Sequence, residues 1–122
     1  MKFPSISELL SEAKSDMNAP ESGIYLIHNG VVRAIAKDDS TKAVKGMILS
    51  YDREKLDEAV NKAKSAKGIN YLRVFINEGD LKIGDDIMLV LIGGDTRKNA
   101  FPVLETLLTD IKTNCVTEKE LY

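Results

Sequence analysis

The segment Ile87-Met88-Leu89-Val90-Leu91-Ile92 places six apolar side chains in a row, with Asp85-Asp86 before it and Gly93-Gly94-Asp95 after it. Successive side chains of a strand point to opposite faces. A strand built from this run therefore has no polar face to offer water and must lie inside a sheet covered on both sides. The rest of the chain has to supply both covering layers. With 122 residues it is long enough for one such core and too short for two, so a single domain over 1–122 is expected. No apolar run approaches the roughly 20 residues of a membrane span, and no membrane partner is expected.

The flanking sequence supplies candidate layers. Ser5-Ile6-Ser7-Glu8 has the form of a capping box, and Ile6, Leu9, Leu10, Ala13 and Met17 follow helical spacing, which predicts a helix over 6–17. Residues 23–36 favour an extended chain, and Asn29-Gly30 within them fits either a tight hairpin or a bulge in one bent strand. The polar stretch 37–42 reads as a loop, followed by a strand over 44–51. Asp52 is placed to cap a helix with Leu56, Ala59, Val60, Ala63 and Ala66 on one stripe, and Gly68 stands where a C-cap glycine belongs. Residues 69–77 alternate as a strand, Glu78-Gly79-Asp80 turns the chain, and residues 81–85 lead into the apolar run. A last helix carries Ala100, Val103, Leu104, Leu107, Leu108 and Ile111 inward; Pro102 favours a start near Lys98 or Asn99. Beyond 113 only Cys115-Val116 is apolar. This order predicts an α+β fold with about three helices and mainly antiparallel strands.

Charge and rare residues exclude several function classes. Seventeen basic residues against nineteen acidic ones give a net charge of −2, which opposes general nucleic-acid binding but leaves room for a small basic pocket. One cysteine and one histidine make neither a disulfide nor a zinc site, so no metal and no resident cofactor are expected. Glu8, Glu12 and Asp16 stand where a secretion signal would be apolar, so a cytoplasmic location is expected. Among local features, Gly93-Gly94-Asp95-Thr96-Arg97 is the most suggestive: a strand ending in glycines that feeds a helix can present amides to an anion, with Arg97 beside them. An ordinary strand-to-helix turn fits the same residues. Arg33 either faces solvent or lines a polar pocket, and Lys112 and Lys119 serve solubility unless something gathers them. Cys115 has no neighbouring base in sequence, His28 has no partner for a triad, and the acidic residues 78–86 fit turns rather than a calcium loop.

Four motifs in order resemble the large, catalytic subunit of molybdopterin synthase. They are residues 22–33 ending Gly30-Val31-Val32-Arg33, Gly79-Asp80-Leu81-Lys82-Ile83-Gly84-Asp85, Arg97-Lys98-Asn99-Ala100-Phe101, and Asp110-Ile111-Lys112 with Glu118-Lys119-Glu120. The resemblance implies an α/β hammerhead-like domain and a homodimer within a heterotetramer. It implies binding of a small ubiquitin-like sulfur carrier, whose C-terminal thiocarboxylate gives sulfur to cyclic pyranopterin monophosphate to form molybdopterin. By the same resemblance, Lys112 and Lys119 are the catalytic candidates, and Arg33, Thr96 and Arg97 hold substrate or carrier, with Arg97 able to serve a neighbouring subunit. Sulfur would arrive on the carrier, so no catalytic cysteine is called for. Two departures stand out: Thr96 replaces the family's histidine, and Glu118 replaces an aromatic residue, placing a negative charge near the lysines. A non-catalytic relative that binds a carrier or another anionic partner is the alternative.

Overall fold

The computed structural model describes residues 3–122. The apolar run forms β5 (Asp86–Gly94), flanked by antiparallel β1 (Ile24–Val31) and β3 (Ile69–Ile76) in a sheet of order β1-β5-β3. Met88, Leu89, Val90, Leu91 and Ile92 are each at most 1% exposed, as a strand without a polar face requires. Leu89 and Leu91 pack on one side against Leu9 and Ala13 of α1 (Ile6–Lys14), with Tyr25, Ile27, Tyr71 and Phe75 around them. Met88, Val90 and Ile92 face the other way, toward α2 (Arg53–Lys64), α3 (Arg97–Asp110) and a second sheet.

That second sheet is β4-β2-β6, again antiparallel, from β2 (Gly46–Tyr51), β4 (Gly79–Lys82) and β6 (Val116–Leu121). Met47 and Leu49 of β2 and Leu81 of β4 point into the same core as Val90, while Ile48 and Ser50 point outward. Local signals account for the helix starts. Ser5 and Glu8 form the expected reciprocal cap of α1, and Asp52 accepts the Lys55 N–H at 3.1 Å to begin α2. Three α-helices on antiparallel sheets match the expected fold class.

Several boundaries differ from the sequence expectation, each for a local reason. Helix α1 stops at Lys14 rather than near 17; Asp16 accepts the Asn18 N–H at 3.0 Å, and Met17 is 89% exposed instead of on the core stripe. Of the two readings of Asn29-Gly30 the single bulged strand holds: β1 runs through it, with an irregular register between Gly30 and Val31. Gly68 is not the cap of α2, which Ser65 closes. Its φ of +84° turns the chain into β3, and its carbonyl accepts the Asp95 N–H at 2.8 Å. Helix α3 begins at Arg97 and contains Pro102, which has no N–H for the Lys98 carbonyl. Strand β4 occupies what reads as a turn, because its partner β2 is thirty-odd residues away and local pattern does not show it. Between α3 and β6 the chain makes one π-type turn, Ile111–Cys115, in which Val116 N–H donates to the Ile111 carbonyl five residues back.

Truncating the centre of β5 tests this architecture. Leu91→Ala is expected to lower the unfolding free energy by about 2–5 kcal/mol, read as a lower urea midpoint with an unchanged slope. A loss under about 1 kcal/mol would mean that the site is not packed as described.

Candidate active site

Where the two sheets meet, a cavity of about 160 Å³ opens beside the N-terminal half of β5. Met47, Ile87 and Met88 give it an apolar floor, and His28, Arg33, Lys37 and Lys112 bring nitrogen atoms to its walls. The chain after β1 is responsible for two of these. Arg33 donates to the carbonyls of Ile35 (3.3 Å) and Ala36 (3.2 Å), which folds residues 33–36 into a bend. Lys37 follows, with its backbone N–H donating to Glu120 at 3.2 Å and its ammonium paired with Glu118. Lys112 comes from the π-type turn, and its Nζ lies 3.7 Å from the other side of the Glu118 carboxylate. The Glu118 side chain is only 7% exposed.

Burial pushes the Lys112 ammonium below its ordinary pKa, and the positive charge of Lys37 adds to the shift. Burial likewise lowers His28, and the charge of Lys112 lowers it further. A lysine so shifted gives up its proton more readily than an ordinary one, which suits proton transfer. By contrast, the thiol of Cys115 is pushed up, first by burial and then by Asp110, which leaves it unreactive. A larger groove of about 210 Å³ between α2 and α3 is lined mostly by Ala59, Ala63, Pro102, Val103 and Leu107 and gathers no such set of cations.

A family model described as MoaE protein matches residues 5–114, most of the chain. This chain belongs to the MoaE family. Solved structures agree on the fold. Molybdopterin synthase from Staphylococcus aureus superimposes with a TM-score of 0.77 at 19% identity, over 98% of this chain and 86% of that one. The molybdopterin biosynthesis MoaE protein from Burkholderia ambifaria gives 0.76 at 18%, over 99% and 84%. A complex of subunits 1 and 2 of molybdopterin-converting factor from Helicobacter pylori gives 0.71 at 25%, over 98% and 84%. No curated protein matches by sequence. Family membership ties the chain to molybdenum cofactor biosynthesis and to a transferase family.

Within this MoaE-family fold, Arg33 and Lys112 share the cavity, and Lys119 does not join them. On β6, Glu118 and Glu120 pair with the inward Leu49 and Met47, whereas Lys119 pairs with the outward Ile48 and is exposed. Seven residues separate Lys112 from Lys119, but the π-type turn adds a residue that spacing alone does not reveal. Thr96 and Arg97 lie past the far end of β5, about 20 Å along the strand from Ile87. Of the two readings of this stretch the ordinary turn fits, because its polar groups engage one another. Asp95 accepts from the Thr96 N–H (2.6 Å) and the Asn99 side chain (2.9 Å), and Thr96 caps α3 by accepting from the Asn99 N–H at 3.4 Å. The Asn99 hydrogen bond keeps Asp95 below its usual pKa. Lys37, His28 and Glu120 escaped the sequence reading as site residues. Glu118 carried a signal, as the acid standing where the resemblance places an aromatic ring.

His28 is the chain's one histidine, so its imidazole resonance is unambiguous. Lys112→Met should raise the His28 pKa in an NMR titration, leaving it still below 6.5 because burial is the larger cause. In the native protein the folded state takes up this proton less readily than the unfolded chain. Stability contributed by neutral His28 is therefore lost as pH falls from 6.5 through the folded value, and the variant should lose less of it. An unmoved His28 titration would break the proposed contact between the two.

Proposed function

We propose that this chain catalyses transfer of sulfur from a thiocarboxylated, ubiquitin-like carrier to cyclic pyranopterin monophosphate, forming molybdopterin. The observation that carries the reading is the convergence of Arg33 and Lys112, joined by Lys37, on one small cavity in a MoaE-family fold. Both reactants are anions at the reacting end, and a cationic pocket concentrates them without making the whole protein basic. Arg33 offers a fixed fork for a phosphate or carboxyl group. Lys112, eased toward its neutral form by burial, moves protons as sulfur is exchanged. The sulfur comes on the carrier, so the inert Cys115 takes no part. The Helicobacter pylori relative is a complex of two subunits, which supports a small protein partner here. A homodimer gives Arg97 a route to a pocket that it does not reach within its own chain. Lys119 and Thr96 stay outside the cavity, and the geometry favours Lys112 over Lys119 for the chemistry.

A specific observation keeps a second reading in view. Glu118 stands among the pocket's cations and Thr96 stands in place of the family's histidine, changes that suit a relative which binds a carrier without turning over. Reconstitution with the thiocarboxylated carrier and the cyclic pterin separates the two. Turnover is expected, with Lys112→Ala lowering it by about 10²–10⁴-fold and Lys119→Ala changing it no more than a few-fold. Carrier binding without product would establish the second reading. Equal losses in both variants would overturn the preference for Lys112.

A further inference from the structure

The carboxylate of Glu118 is the odd group in this pocket. Its side chain is more than nine-tenths buried, and one oxygen, Oε2, has no hydrogen-bond donor among the described residues; Lys112 at 3.7 Å is too far to serve. Glu120 on the same face is different, because the Lys37 N–H and the Tyr122 hydroxyl at 3.1 Å satisfy it. The charged groups around the cavity are Arg33 and Lys37 from the segment after β1, Lys112 from the π-type turn, Glu118 and Glu120 from β6, with His28 from β1. Glu118 contacts two of the three cations and does not itself line the cavity, so it stands behind the lysines.

The geometry points to Glu118 as the specificity-determining residue of the pocket: a built-in counter-ion that draws Lys37 and Lys112 onto one wall and lowers their pull on an entering anion. An anionic ligand bound against those ammonium groups lies close to a buried carboxylate of the same sign. Glu118 itself is shielded from water, so that repulsion is screened less than between two exposed charges and is felt in the affinity. A strongly charged group such as phosphate gains enough from the three cations to bind, while a weakly charged one gains little. Lys37 thereby becomes a binding residue of the site. This inference rests on the cavity being the anion site of the function proposed above, and it concerns binding rather than turnover.

Inorganic phosphate is the probe and the His28 imidazole resonance is the reporter, since His28 lines the cavity. Glu118→Gln keeps the shape and removes the charge. It is expected to bind phosphate on the order of tenfold more tightly than the native protein, with the His28 pKa lowered further because the lysines lose their counter-ion. Glu118→Asp keeps the charge and should stay within about threefold of native affinity. Lys37→Met should bind about tenfold more weakly, and it tests the same wall should Glu118→Gln fail to fold. Unchanged or weaker binding in a folded Glu118→Gln would overturn the inference. So would an equal gain in Glu118→Asp, or no loss in Lys37→Met, or no phosphate binding by native protein and Glu118→Gln alike. The titration needs neither carrier nor pterin, so failed sulfur transfer leaves it standing, and its own failure leaves the native reconstitution result unchanged.

Discussion

Burial of β5 on both faces is the constraint on which the rest of the molecule depends. Met88, Val90 and Ile92 demand one apolar layer, and Leu89 and Leu91 demand another. Helix α1 answers the second demand with Leu9 and Ala13, so a short N-terminal helix is part of the core rather than an appendage. Helices α2 and α3 and the sheet β4-β2-β6 answer the first. The cavity lies where the two sheets meet beside the N-terminal half of β5, and a ring of charged side chains surrounds its apolar floor.

That ring is expensive in isolation. A carboxylate as buried as Glu118 is strongly disfavoured unless it is paired, and two ammonium groups held near one another repel. Each half of the arrangement makes the other tolerable. Residues 32–45 are fastened along β6 by the same logic: Lys37 to Glu118 and Glu120, Lys42 over the Tyr122 ring at 3.6 Å, and the Lys45 N–H to the Leu121 carbonyl at 2.7 Å. A polar segment that reads as a loop, 37–42, is thus tied to β6 by charge and hydrogen bonds, while Val32, Ala36 and Val44 on either side of it are buried.

Much of the fold was legible in the sequence. Features that depend on neighbours in the chain, such as the caps at Ser5 and Asp52 and the stripe of α3 from Ala100 to Ile111, appear where local chemistry places them. Strand β4 was hidden because four residues hold too little pattern, and its pairing is set by distant β2. The site was only half legible. Arg33 and Lys112 were found through motif resemblance, while Lys37 sits in a segment with no motif and depends for its position on Glu118 and Glu120 across the sheet. The glycine-rich entry to α3 fits the ordinary turn of its two readings for a physical reason: whether amides there are free depends on what their own neighbours accept, and here Asp95 takes the Thr96 N–H and Thr96 takes the Asn99 N–H.

The π-type turn has one more consequence. Side chains on β6 alternate, so the turn fixes the phase of the whole strand. Loss of a single residue from 111–115, with the ladder to β2 kept in place, would rotate every β6 side chain to the opposite face. Lys119 would move into the position of Glu118, and the acid behind the lysines of the pocket would become a base. The sign of the charge behind Lys112 is therefore written in the length of a turn as much as in the identity of the residue that follows it.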